Sequence, residues 1–331
     1  SAGARPSTFV LRRAVELPPA WRGQGLSLTF VKISAPATLV VNGRKLEPAE
    51  RPSGSSYRMV LPQLWGIPEE LSAAGTLRLE LTLPNTWVQA GWLDTVPQLS
   101  ATRDGEPHFL LVRSWNRVTN ILGLAAAAAS ALIYFVVFVL NRKRRDAGWY
   151  SLEALSGALY PAVNLNLLQV VFGPLETPVA AVGVSLAGLA GVEMMHAMLE
   201  LPRPHWLWRA GWLGHVVLAV LFGGPFTSTY YVTSTAGLYL AAAAAYQVIG
   251  YARAARTKRR AGALMLSAGW LTLACLGGVD ILGWLGLGWI FGGWQGAGLG
   301  IFMIACAQSV NLGREYIHAL AAAETLNREL R

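Results

Sequence analysis

Four ionisable side chains, Glu193, His196, His215 and Asp280, fall inside long apolar runs of this chain, where an isolated charge is expensive and marks either function or a buried contact. Glu193 and His196 are three residues apart, so a helix would carry both on one face. A carboxylate beside an imidazole can bind a divalent metal or relay a proton, but a metal centre needs at least three converging ligands. His215 is the candidate third, whereas Asp280 falls toward the opposite end of its own run. Polar contacts between helices, or a proton-linked or ligand-binding role, are therefore expected in place of a metal. A second set lies nearer the N-terminus. Asn85, Trp87 and Trp92 follow a run of strand character, and aromatic rings in loops can stack on a sugar while Asn85 or Arg58 donates hydrogen bonds. The same tryptophans could instead pack the base of the domain or face lipid. No Ser-His-Asp set, carboxylate pair or phosphate loop accompanies them, so no catalytic residue, enzyme activity or cofactor is expected of this chain.

The intramembrane candidates need helices to hold them, and the chain supplies apolar runs of suitable length at 119–141, 147–172, 176–201, 206–223, 226–252, 261–284 and 288–312. A helix needs about 20 such residues to cross the hydrocarbon of a bilayer. Lys and Arg crowd alternate connections: those near 142–145, 203–209 and 253–260 carry eleven, and those near 173–178, 223–229 and 285–289 carry none. Short cytoplasmic loops retain Lys and Arg, so the alternation predicts seven spans, an extracytoplasmic N-terminal segment and a cytoplasmic C-terminus. Pro174, Pro178, Pro202, Pro204 and Pro225 fall in the gaps, and Pro161 predicts a kink in the second span. Glu153 lies near the cytoplasmic start of that span.

The first part of the chain has a different period. Short runs rich in β-branched residues at 8–16, 26–33, 37–41, 56–61, 77–83 and 97–102 predict strands, with Asn42-Gly43 as a hairpin turn and a helical turn near 68–73. The expected organisation is a β-sandwich at 1–104, a linker at 105–118, a seven-helix membrane domain at 119–312 and a cytoplasmic helix at 313–331. In that last helix Leu312, Tyr316, Ala319, Ala323, Leu326 and Leu330 repeat at four- and three-residue spacing, a short coiled-coil seam. Gly292, Gly296 and Gly300 form a small-residue stripe in the seventh run, suited to close packing inside the bundle or across a dimer.

Composition is consistent with this picture. Hydrophobic residues make up 53% and charged residues 14%, too apolar for an ordinary soluble protein. The net charge of +9 concentrates beside the apolar runs, as at Arg142, Lys143, Arg144 and Arg145, so it anchors the chain to anionic lipid and does not indicate nucleic acid. Cys275 and Cys306 both fall inside apolar runs, which excludes a disulfide framework. No apolar run contains Lys, which excludes a retinal Schiff base. An exported N-terminal domain implies a leader that has been removed or left out of this sequence, and a seam still in register at 331 suggests a natural chain that continues.

This arrangement resembles the bacterial seven-transmembrane receptors with diverse intracellular signalling modules. Trp21-Arg22-Gly23 followed by Leu39-Val40-Val41-Asn42-Gly43-Arg44 is similar to galactose-binding-like jelly rolls. The run 298–315, GLGIFMIACAQSVNLGRE, resembles the family's last helix entering its signalling helix, and 324–331, ETLNRELR, is similar to linkers that lead into kinase or cyclase modules. The resemblance implies a sensor of the bacterial inner membrane: an extracytoplasmic jelly-roll-like domain, seven helices and an output module such as a histidine kinase or cyclase, here lying outside the chain. The expected partners are membrane lipid, an extracytoplasmic ligand and a second copy of the chain through the seventh span and C-terminal helix. An intramembrane metal-dependent hydrolase or a small-molecule transporter is the alternative. The seventh run has no His for the first, and the spans offer few polar residues and no internal repeat for the second.

Overall fold

The computed structural model describes residues 6–31, 33, 35–49, 58, 62–87, 90, 96–224, 226–257, 262–283 and 292–329, with backbone alone at 103–106 and 228–234. Its N-terminal part holds strands β1 Thr8–Glu16, β2 Leu26–Phe30, β3 Thr38–Val41, β4 Arg44–Leu46, β5 Gln63–Ile67, β6 Thr76–Pro84 and β7 Gln98–Ala101. They form two antiparallel sheets, ordered β1-β6-β3-β4 and β5-β2-β7. Alternation explains the pairing of faces. In β3, Leu39 and Val41 are buried while Thr38 and Val40 are half-buried, and β6 turns Leu77, Leu81 and Leu83 inward. These meet Leu26, Leu28 and Phe30 of β2 in one core, where Trp65 packs edge-on against Phe30 with ring centroids 5.5 Å apart. Each such side chain, fully buried, contributes about 1.5–3 kcal/mol. The Asn42-Gly43 turn has φ of 50° and 84°, the left-handed pair that a two-residue hairpin requires. The expected strand at 56–61 lies outside the described residues except for Arg58, and β5 lies just after it.

Ten helices follow the sandwich or interrupt it: α1 Glu69–Ser72, α2 Thr102–Leu140, α3 Arg145–Gly157, α4 Leu159–Asn164, α5 Leu167–Phe172, α6 Glu176–Met198, α7 Leu207–Leu221, α8 Ser228–Arg256, α9 Ala263–Leu282 and α10 Ala297–Glu329 among the described residues. The linker predicted at 105–118 is instead the first turns of α2, which leaves β7 directly. Phe109, Val112, Asn116 and Thr119 are all buried, an inward stripe of helical period that the polar look of this segment conceals. The second apolar run is not one helix. It breaks at Ala158 and again at Asn166, which has a φ of 59°. Pro161 lacks the N–H that would bond Gly157, so the first break falls just before it.

Six of these helices close a ring: α2 packs on α3, α3 on α6, α6 on α8, α8 on α9, α9 on α10, and α10 returns to α2. α7 lies on the outer flank against α6 and α8, with His215 its one buried residue. The closure between α2 and α10 is made by glycine. A Cβ on Gly298 would stand 2.6 Å from the Thr119 carbonyl oxygen, and one on Gly123 would stand 2.4 Å from that of Gly298. Among the described residues, three helical segments are long and apolar enough to cross a membrane on length and composition: Pro107–Leu140, Leu167–Met198 and Ala263–Leu282, with Leu207–Leu221 apolar but shorter. Seven spans are therefore not all evident from length and hydropathy. α8 and α10 carry polar residues such as Gln247, Gln308 and Asn311, and α3 to α5 are broken.

Candidate functional site

The sequence marks Arg58 as a ligand donor, yet its side chain is only 1% exposed and forms a buried ion pair with Glu176, the first residue of α6, itself 0% exposed. Nε of Arg58 donates to Oε1 of Glu176, which also accepts from Nε2 of Gln169 at 3.3 Å. This pair joins the sandwich to the helical ring. Asn85 donates to the carbonyl of Pro6 at 2.7 Å and its backbone N–H to that of Ser7, so it ties down the N-terminal strand. Trp87 is buried in the sandwich core, a packing position with no surface for stacking on a sugar. Trp92 lies outside the described residues.

Asp280 has a role that its position near the end of α9 does not announce. Its Oδ1 accepts from the N–H of Gly296 at 2.8 Å, and Oδ2 accepts from the N–H of Ala297 at 3.1 Å and from the Tyr160 hydroxyl at 2.9 Å. A carboxylate thus caps the start of α10, where amides lack intrahelical partners and the helix dipole favours negative charge. α2 holds the same entry. Asn116 donates to Gly293 O at 2.9 Å and accepts from Gln295 N at 2.9 Å. Asn120 donates to Gln295 Oε1 at 2.8 Å and accepts from Asn164 at 3.2 Å. Trp115 donates to Gln295 O at 3.0 Å and packs edge-on against Trp294. On its other side the segment meets the sandwich, since a Cβ on Gly293 would stand 1.8 Å from Cγ1 of Val31.

The glycine stripe is placed differently from expectation. α10 begins at Ala297, so Gly292 and Gly296 precede it, and Gly292 has a φ of 56°. Added Cβ atoms on Gly296 and Gly300 would stand 3.0 Å from Leu276 Cβ and 2.8 Å from Leu273 Cα. These two glycines therefore pack inward on α9 and offer no face to a second copy.

Glu193, His196 and His215 do not gather into one site. Glu193 Oε1 accepts from Nε of Arg209 at 2.8 Å. His196 directs Nδ1 at the Pro202 carbonyl, which can only accept, so that nitrogen carries the proton and Nε2 faces the Tyr246 hydroxyl at 2.9 Å. Glu193 and His196 line an open cavity of about 620 Å³ together with Arg145, Arg203 and Arg209. His215 is elsewhere, its ring edge-on to Tyr239 at 5.2 Å. Among the described residues no three His, Cys, Asp or Glu side chains are close enough to hold a metal ion.

At its far end α10 leaves the ring. Arg144 donates to Asp146 at 2.8 Å and to Glu315 at 2.9 Å, and Asn311 donates to Glu315 at 3.3 Å. The hydrogen bond that Arg144 donates to Asp146 leads the effects that raise the Arg144 pKa above its ordinary value. Leu312 packs on the ring core, whereas Tyr316, Ala319, Ala323 and Leu326 of the seam are exposed, as are Ile317 and Leu320 beside them. Leu330 lies outside the described residues. The sequence reading missed Glu176, Asn116, Asn120, Asn164, Tyr160, Gln295 and Arg209. Three asparagines and a glutamine within or beside apolar runs were the available signal.

A family model described as 7TM diverse intracellular signalling matches residues 118–314, the helical ring and the start of the emerging helix. No curated protein and no solved structure gives a significant match.

Proposed function

We propose that this chain, which belongs to the 7TM diverse intracellular signalling family, is the sensing and membrane-crossing part of a receptor whose output module lies beyond α10. The observation that carries this reading is α10 itself. One unbroken helix starts at a segment gripped by α2, by Asp280 and by Val31 of the sandwich, and ends in an exposed apolar stripe outside the ring. Such a rod has an input at one end and an output at the other.

In this reading all seven helical runs cross the membrane. The polar residues that lower the hydropathy of α8 and α10, among them Gln247, Gln308 and Asn311, are turned into the ring, so the lipid-facing surface stays apolar. Lys and Arg confined to alternate connections put the sandwich outside the cytoplasm and the end of α10 inside. A ligand bound by the sandwich, or between sandwich and ring, prefers one seating of the 292–296 segment, and α10 follows as a shift of population between two arrangements. The seam then passes that shift to a second copy and to its output enzyme.

The test places single cysteines at Ala319, Ala323 and Leu326 in membranes, with Arg58 intact or changed to Ala. Breaking the joint between sandwich and ring should alter which positions crosslink. Identical patterns in both backgrounds, or no crosslinking at all, would remove the rod as the transmitting element.

A further inference from the structure

Glu193 and His196, one turn apart on α6 and both buried, each hold a segment that carries an arginine. Glu193 Oε1 accepts from Nε of Arg209 at 2.8 Å and from its Nη2 at 2.5 Å. That grip fixes the guanidinium by one edge and leaves its Nη1 hydrogens without a partner among the described residues. His196 donates from Nδ1 to the Pro202 carbonyl, and the N–H of Leu201 donates to the His196 carbonyl at 2.9 Å. The turn from α6 to α7 is thus tied to α6 immediately before Arg203. A third arginine, Arg145, comes from the start of α3. All five side chains line the open cavity of about 620 Å³.

The charges in this wall do not cancel. Guanidinium groups stay protonated, so three cations share the wall with one carboxylate, and His196 adds no negative charge in either protonation state. The surplus is at least two positive charges. Arg145 and Arg203 are exposed, with no hydrogen bond or ion pair to their side chains among the described residues. The planar fork of arginine matches the oxygens of a carboxylate or a phosphate. A carboxylate or a phosphodiester brings one negative charge, whereas a phosphate monoester brings about 1.5–2 at neutral pH and three acceptor oxygens. The monoester is the better match. The cavity is also within the roughly 300–1,000 Å³ typical of small-molecule sites, far more than a phosphate ion fills. The rest of its wall is apolar, including Phe138, Trp149 and Leu201.

We infer that this cavity binds a phosphate monoester on an apolar or aromatic body, its phosphate held by Arg145, Arg203 and Arg209. Basic pockets between membrane helices take lipid head groups by the same chemistry, so the monoester is either phosphatidic acid from the bilayer or a water-soluble phosphate. The first source rests on the membrane-crossing reading above, although the site itself does not.

The test uses the full chain in phosphatidylcholine nanodiscs. In one arm, phenyl phosphate and the diester methyl phenyl phosphate are titrated by calorimetry. In the other, discs doped with phosphatidic acid or phosphatidylglycerol are read by native mass spectrometry for lipid retained on the chain. Saturable binding is expected in at least one arm, with the monoester about threefold to fivefold tighter than the diester, the worth of one further partly exposed charge. Arg145→Gln with Arg203→Gln should weaken it about tenfold or more, since two charge-assisted hydrogen bonds are lost. Neither change orphans a partner, so that variant should melt with the wild type. Lys143→Gln with Arg256→Gln removes the same charge from basic connections outside this wall and should leave binding unchanged. The arm that binds identifies the source. No saturable binding in either arm, affinity for the monoester no greater than for the diester, or a loss in the first double variant no larger than in the second would overturn the assignment. None of these outcomes bears on crosslinking along 319–326, which tests the receptor reading separately.

Discussion

Arg58 and Glu176 are 118 residues apart in sequence and meet as a buried ion pair between the sandwich and the first turn of α6. Neither charge has solvent to fall back on, so the two domains must be docked for either residue to be stable where it is. Removing one partner of such a pair typically costs about 3–5 kcal/mol, whereas replacing both with apolar residues of similar volume is often close to neutral. Arg58→Ala and Glu176→Ala should each lower the denaturant midpoint of the purified chain sharply. Arg58→Met with Glu176→Leu should recover most of the loss. Additive losses in the double variant would show that the two side chains do not interact.

Gly293 links the sandwich to the entry of α10, and two constraints hold it at glycine. Its φ of 78° lies in the left-handed region, and its Cα faces Val31 without room for a Cβ. The backbone term alone is about 1–2 kcal/mol for an L-residue. Gly293→Ala should therefore loosen the domain joint as well as destabilise the chain, read as faster protease cleavage near 292–296. Gly293→Ala with Val31→Ala should restore part of the protection, because the smaller partner relieves the clash and leaves the φ penalty.

Asp280 caps a helix from outside that helix. Asp280→Ala leaves the amides of Gly296 and Ala297 without their acceptor, a loss of about 0.5–2 kcal/mol for a capping group. Hydrogen exchange should accelerate at 296–300 and stay unchanged in the middle of α9. Asp280→Asn keeps one carbonyl acceptor and should fall between. Exchange that rises equally along α9 would mean that Asp280 holds its own helix and not α10.

Arg144 and Glu315 pin α10 where it leaves the ring, and both are about one-third exposed. Exposed pairs contribute little, about 0.2–1 kcal/mol, and salt weakens them further. Glu315→Ala should leave unfolding nearly unchanged while increasing trypsin cleavage at Arg314. The difference between variant and wild type should shrink at high salt. A large loss of stability would indicate a deeper role for Glu315 than this contact.

Much of the architecture was legible in the chain because its signals are local. Alternation in 38–41 and the Asn42-Gly43 pair specify a hairpin from a few residues. Pro161 foretold a break, and long apolar runs foretold helices. The failures follow a rule as well. Residues 105–118 read as a linker because arginines and polar residues hide an inward stripe that becomes visible only when sandwich and α10 cover it. Trp87 looked like a binding aromatic until the sandwich closed over it, and Gly292 and Gly296 looked helical although the helix starts after them.

By itself, then, the sequence determined the kinds of element, their order, and the alternation of basic charge between them, since these depend on neighbours within a few residues. Only the tertiary structure decided what touches what. It set the ring order that leaves α7 outside, the glycine crossing of α2 and α10, and the partners of Arg58 and Asp280. Several of those facts depend on contacts between residues more than a hundred positions apart, such as Asn116 with Gly293 at a separation of 177. No local period encodes such a pairing. It follows from how several apolar faces, each specified separately, pack together at once.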